Sequence, residues 1–426
     1  MARVSFNVGI LGFGDRGVSL VGPVMDYSTQ THITTIIDPD ISRSKFYFQD
    51  CCVSTGLVPR EDADKVRFIK DIAELKAGEI DLLFLTASER VRTGLFEKAV
   101  ATGAHIFTDK GLSNDIGGCR KIVDAMKALR KGQQVFMGFN MRYHPEMMTA
   151  RQILAEGRLG RVLFIHYLEA LRFKHGSSFY RRFHRDVRNS GGLLITKACH
   201  DFDLMGYFVD SRPSRVFCTQ EKIMFGKGGP EAREFCQTCD RTHECDFDPL
   251  KLEDSRRKKA RYERVWVGNN RVTSDGYMRD ACVWRGDTEL RDLSTVLIDY
   301  ENGARASFSQ VLFAPYGQRT IKVFCENGCL EIGEGDAITV IDRWNTRRDR
   351  VAVQTEGEHG GADNNMVNNL FEMLGHGAKP LACIEDGVWA VALGTASYES
   401  AARERWVAVR PLVESVFQSP RKRRCR

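Results

Sequence analysis

Three groupings of residues in this chain could do chemistry. Gly12, Gly14 and Gly17 stand in G-x-G-x-x-G spacing within Gly9-Ile10-Leu11-Gly12-Phe13-Gly14-Asp15-Arg16-Gly17, directly after a β-branched run. That spacing suits a dinucleotide: the first glycine makes a tight turn, the second lets backbone approach a pyrophosphate, and the third lets a helix pack closely. Phe13, Asp15 and Arg16 fill the same loop and would border the same ligand. Asp38 closes the next apolar run, where an acid accepts from ribose hydroxyls and repels a 2′-phosphate, favouring NAD over NADP. The bland alternative is a glycine turn in a doubly wound fold that has lost its cofactor.

The second grouping is Lys110, in Thr108-Asp109-Lys110-Gly111 at the end of a strand-like run, together with the segment from Gly191 to Met205. The apolar spacing of that segment predicts one helix with Thr196, Lys197, His200 and Asp203 on a shared face. A lysine can steer a hydroxyl or carbonyl oxygen, and a histidine beside a lysine and a carboxylate is a candidate general acid/base. Taken singly, each is as compatible with a surface lysine or a packed core histidine. The third grouping is Cys236, Cys239 and Cys245 in C-x2-C-x5-C, with His243 inside and Cys282 following. It fits a structural zinc site, with an ordinary cysteine-bearing loop and an iron–sulfur cluster as the other readings.

The elements that must position these groups follow from the apolar pattern. Runs at 4–10, 33–37, 81–85, 105–108 and 134–138 alternate with helix-length segments, which means βαβ units and a parallel sheet. Beyond about Arg151, longer strand-like segments at 161–169, 216–223, 295–300, 304–312, 321–325 and 337–341 predict a second domain with an antiparallel or mixed sheet. The expected division is a Rossmann domain over 1–145, a substrate and oligomerisation domain over 146–415 with an insertion at 226–290, and a flexible basic tail at 416–426.

Composition bounds the rest. A chain of 426 residues, 42% hydrophobic and 28% charged, is globular and long enough for two domains. Its net charge of +6 is concentrated in Arg421, Lys422, Arg423, Arg424 and Arg426, so the body is nearly neutral. The apolar runs are too short to span a membrane. The 13 cysteines and the absence of a signal-peptide pattern at the start favour a reducing, cytoplasmic setting. A basic, aromatic segment from Arg172 to Arg188 is read as the border of a pocket that takes a carboxylated or phosphorylated sugar, rather than as a nucleic-acid surface.

These motifs resemble the Gfo/Idh/MocA oxidoreductases, relatives of glucose-fructose oxidoreductase and inositol 2-dehydrogenase. The resemblance runs through the glycine loop, the AVATGAHIFTDKGLS segment, Phe139-Asn140-Met141-Arg142-Tyr143, the segment carrying His200, and the closing EDGVWAVALGTASYESA helix. It implies a Rossmann domain, an open-faced sheet domain, a bound nicotinamide cofactor and a homo-oligomer, dimer or tetramer. It further implies that Lys110 orients the substrate, that His200, assisted by Lys197, exchanges a proton with the reacting hydroxyl, and that Ser88, Arg92, Asp109, Lys110 and Asn140 border the cofactor. Arg142, Tyr143, Arg182 and Asp203 would join Lys110 and His200 around the substrate. Asp109 and Gly111 depart from the family's glutamate and proline, which would loosen the turn that holds Lys110. Thr196 stands where many members carry an aspartate, which would leave the His200 imidazole neutral and suited to accept a proton. The expected activity is hydride transfer between NAD and a secondary hydroxyl of a sugar, amino sugar or cyclitol. The alternatives are redox-neutral glycoside cleavage with retained NAD, and a dinucleotide-binding sensor without turnover.

Overall fold

A computed structural model describes residues 5–27, 31–76, 78–252, 280–333, 337–355 and 358–418. The basic tail beyond 418 and the lysine- and arginine-rich stretch at 256–264 lie outside the described residues.

The first sheet has six parallel strands: β1 (Phe6–Leu11), β2 (Thr31–Ile37), β3 (Arg67–Ile69), β4 (Leu82–Leu85), β5 (His105–Asp109) and β6 (Val135–Gly138). Their order, β3-β2-β1-β4-β5-β6, is the doubly wound arrangement with its switch point between β1 and β4. β4 is buried on both faces because helices cover the sheet on both sides, which is why it reads as an unbroken apolar run. β3 escaped the pattern: three residues, one of them Arg67, carry no periodic signal.

The second sheet contains β7 (Val162–Arg172), β8 (Pro213–Glu221), β9 (Leu293–Tyr300), β10 (Arg305–Ala314), β11 (Gln318–Cys325), β12 (Gly328–Ile332), β13 (Ala337–Asp342), β14 (Arg348–Ala352) and β15 (Val407–Ala408). It runs β14-β13-β12-β11-β7-β10-β9-β8-β15, antiparallel except for the β7–β10 pair, as the sequence predicts. Its strands alternate buried and exposed residues, most regularly in β10, so one face packs against helices and the other stays open. Leu163, Phe164, Leu297 and Phe324 are exposed on these strands.

One helix ties the domains together. The helix Ala362–His376 belongs to the second part of the chain, yet Met366, Val367, Leu370 and Phe371 share a core with Val8, Ile10 and Tyr27 of the first. Phe371 stacks on Tyr27 at 4.4 Å between ring centroids. The single helix expected over the His200 segment is in fact two, Leu193–Thr196 and Cys199–Val209, broken at Lys197 and Ala198. Lys197 therefore leaves the helical face that His200 and Asp203 share.

Candidate active site

The glycine loop is shaped by contacts that exclude side chains. Gly12 has φ +88°, and a Cβ there would sit 2.5 Å from the Ala87 nitrogen; at Gly17 it would sit 2.7 Å from the Gly12 carbonyl oxygen. Among the described residues, nothing lies within 4 Å of where a Gly14 Cβ would be, so this part of the loop opens onto free space. Phe13 turns its ring into the core, while its backbone N–H donates to Asp38 Oδ2 at 3.0 Å. Asp38 Oδ1 accepts from the Asp40 N–H at 2.9 Å and from Arg43 at 3.0 Å. The Arg43 partner, invisible in the sequence pattern, offsets part of the charge by which Asp38 would repel a 2′-phosphate.

Around this loop opens a cavity of about 730 Å³ at the carboxyl ends of β1, β4 and β5. Gly12, Gly14, Asp15, Arg16, Asp38, Ser88, Arg92, Asp109, Lys110, Asn140, Arg182, Lys197 and His200 all line it. Arg16 bridges Asp109 at 3.1 Å and Asp363 at 2.9 Å, and Asn140 donates to Asp363 at 3.0 Å. Arg182 reaches Asp15 at 3.2 Å, joining the second domain to the glycine loop.

Lys110 is not loosely held. Its Nζ donates to the Thr196 carbonyl at 3.0 Å, and buried Arg92 donates to the carbonyls of Ala87 and Gly111 on either side. A Cβ at Gly111 would come 2.9 Å from the Ile195 carbonyl oxygen, so the departure at this position lets the turn approach the second domain. The turn is fixed by tertiary contacts in place of the expected ring.

Lys197 sits 3.0 Å from Glu169, which also takes Arg319 at 2.7 Å and Gln310 at 2.8 Å. Arg319 continues to Asp201 at 2.8 Å, and Asp201 accepts from Tyr167 at 2.7 Å. Burial alone would raise the Glu169 carboxyl, but the Lys197 ammonium and the Arg319 guanidinium outweigh it and hold Glu169 ionised. Burial drives the His200 imidazole well below its ordinary pKa, reinforced by the positive charges of Lys110, Lys197, Arg319 and Arg16. The neutral histidine expected from the sequence follows, with burial as the larger cause. Local spacing does not announce this network; a glutamate in the buried register of β7 and an acid next to His200 are its only signals in the sequence.

Three expected substrate residues lie elsewhere. Arg142 grips Asp203 through two bonds of 2.8 and 2.6 Å and faces a separate cavity of about 300 Å³ with Asp386 and Trp389. The Tyr143 hydroxyl donates to Asn369 at 2.8 Å and accepts from the Leu381 N–H at 2.9 Å. Both are structural ties between segments far apart in sequence.

The cysteine reading also changes. Cys236, Cys239, Cys245 and Cys282 line one cavity of about 320 Å³ in the insertion. Among the described residues, however, no three His, Cys, Asp or Glu side chains converge to hold a metal ion. The Cys236 sulfur instead accepts from Arg181 at 2.9 Å, and Phe225, Phe247 and Trp284 fill the surrounding core. The expected zinc has no converged ligand set here: aromatic packing and the Arg181 contact hold the described part of the insertion in place.

Comparison with known proteins agrees with this geometry. Residues 6–139 match the GFO/IDH/MocA model described as an oxidoreductase family NAD-binding Rossmann fold, and residues 151–409 match the same family's C-terminal alpha/beta domain. The putative oxidoreductase YteT of Bacillus subtilis is 23% identical over 436 residues, spanning 96% of this chain and 99% of that protein. An inositol 2-dehydrogenase of Corynebacterium glutamicum is 23% identical over 209 residues, 49% of this chain and 55% of the relative. A levoglucosan dehydrogenase solved with NADH and levoglucosan superposes with TM-score 0.70 and 16% identity over 95% of this chain and all of that one. Among the described residues, no helix is long and apolar enough to cross a membrane.

Proposed function

The chain belongs to the GFO/IDH/MocA oxidoreductase family, and from that premise we propose that it transfers hydride between NAD and a secondary hydroxyl of a sugar, amino sugar or cyclitol. The observation that carries this reading is the meeting of Lys110, Lys197 and His200 with the glycine loop in one cavity.

The fit of a dinucleotide rests on the loop itself, where Gly12 and Gly17 admit no side chain and Gly14 leaves open space. Gly12, Gly14, Asp15, Arg16, Asp38, Ser88, Arg92, Asp109 and Asn140 would hold the cofactor, with Phe13 and Gly17 shaping the loop from within. When bound, a nicotinamide supplies the hydride acceptor or donor. Lys110, anchored on Thr196, orients the reacting oxygen and stabilises negative charge on it. His200 receives the hydroxyl proton, a task that suits an imidazole kept neutral by burial and by the cations around it. Lys197 stays paired with Glu169 and adds positive potential without leaving an uncompensated charge. Arg182, on the cavity wall, would border the substrate.

Asp38 favours NAD, and Arg43 beside it makes the preference a matter of degree. The exposed apolar residues on the open sheet fit assembly into a homo-oligomer, and a cytoplasmic setting agrees with the scattered cysteines of the sequence. The test is formation of NADH when the purified protein meets NAD and a panel of cyclic polyols and pyranoses, including myo-inositol and levoglucosan. Growth of NADH absorbance with one of them supports the reading. Retention of NAD with glycoside cleavage and no net NADH would replace it with the redox-neutral reaction, and failure to bind NAD or NADP would overturn it.

A further inference from the structure

Glu89 opens the helix Glu89–Ala101 that follows β4, and it is 4% exposed. Its Oε1 accepts the Thr196 hydroxyl at 2.5 Å, a bond that crosses from the first domain to the second. Its Oε2 is buried and has no hydrogen-bond partner among the described residues, although Glu89 lines the large cavity. A buried carboxyl oxygen left unpaired is a cost that packing alone does not explain, because an apolar side chain would fill the same volume without it. Other orphaned polar atoms, Asn140 Oδ1, His184 Nδ1 and His200 Nδ1, belong to residues of the same wall. All four residues line the one cavity, and the chemistry of their buried, unpartnered atoms suits a ligand that carries several hydroxyl or amide groups.

Thr196 ties this carboxyl to the reacting end of the cavity: its hydroxyl is given to Glu89 and its carbonyl takes Lys110 Nζ at 3.0 Å. A carboxyl therefore reaches position 196 from residue 89 on another domain. We propose that Glu89 is a ligand-reading residue whose Oε2 accepts an O–H of the substrate next to the hydroxyl that Lys110 orients. The inference rests on the function proposed above. A carboxamide N–H of the nicotinamide offers the same donor chemistry, so the experiment separates the two sources.

NADH is titrated by fluorescence into the wild-type protein, Glu89→Gln and Glu89→Asp, and myo-inositol and levoglucosan are titrated by calorimetry into each NADH complex. The expected result is NADH affinity within about twofold of wild type and polyol affinity about tenfold weaker in Glu89→Gln, with Glu89→Asp between. A tenfold loss in NADH affinity instead assigns the donor to the carboxamide. If neither titration moves while wild-type NADH binding is intact, the Glu89 proposal is overturned and the oxidoreductase reading stands; a wild-type protein that binds no NADH removes both. Should neither polyol bind to wild type, the NADH titration decides, and an unchanged value overturns the proposal. Thr196→Val releases Oε1 without removing the charge and guards against a folding defect in the glutamine variant: it should weaken polyol binding about threefold, and an unchanged affinity counts against the proposal.

Discussion

The two ends of the large cavity are built in opposite ways. At the glycine-loop end the acids are already satisfied: Asp38 holds two backbone N–H groups and Arg43, while Arg16 spans Asp109 and Asp363. At the other end, among the described residues, Glu89, His184 and His200 keep buried polar atoms without partners, and Lys110 donates to the Thr196 carbonyl. The first end is preformed, so a ligand there meets a rigid cradle. The second is incomplete by itself, so under the proposed function the ligand would supply part of its hydrogen bonding and discrimination among ligands would reside there.

The largest way to break this contrast is at the incomplete end. His200→Ala or Lys110→Met should lower turnover on the substrate found in the polyol panel by about 10²- to 10⁴-fold. NADH affinity should stay within about threefold, since neither side chain is needed to shape the loop. A parallel collapse of NADH affinity would mean the two ends are one unit.

The charged network behind the incomplete end should matter for stability as well. Glu169→Gln leaves Lys197 and Arg319 without their shared carboxylate at a site 1% exposed. Removing one partner of a buried ion pair costs about 3–5 kcal/mol, which urea unfolding would read as a lower midpoint. An unchanged midpoint would show that water already screens these charges.

At the preformed end, Gly12→Ala places a Cβ against Ala87 at a backbone angle suited to glycine. The strain is on the order of 1–3 kcal/mol, and NADH titration should show at least a tenfold loss of affinity. Retained affinity would deny that the loop is rigid.

The smallest effect sharpens the contrast through pH. Burial raises the Glu89 carboxyl above its ordinary value of 4.5, with Arg92, Lys110 and the Thr196 hydroxyl pulling the other way. Its protonated form is thus favoured in the folded state, and that contribution is complete below pH 4.5 and lost as pH rises through the raised value. Relative to Glu89→Gln, wild-type stability should fall as pH rises above 4.5, by about 1.4 kcal/mol for each tenfold by which folding tightens the carboxyl's hold on its proton. Melting temperatures of the two proteins across that range check it, and a constant difference would place the carboxyl in water.

How much of this was legible depended on sequence distance. The glycine loop, Asp38, Lys110 and His200 could be read because short spacings after strands carry their own geometry. β3, β12, β14 and β15 were missed because they are short or exposed and leave no period to detect. The helix over 191–205 was overextended because apolar spacing does not report the break at Lys197. Arg142, Tyr143 and Asp203 sit in motifs near the site, yet a buried Arg142–Asp203 pair across 61 residues claims two of them.

The sequence by itself determined the doubly wound sheet, the second mixed sheet and the place of the dinucleotide loop, because local spacing, burial pattern and glycine stereochemistry act within a few residues. Only the tertiary structure decided that Thr196 brings Glu89 and Lys110 together, that Arg43 shields Asp38, that Glu169 and Arg319 brace Lys197, and that the four cysteines share a cavity without converging on a metal. Those outcomes depend on side chains from distant segments meeting in a buried, weakly screened interior, where each charge takes its state from partners that no local window contains.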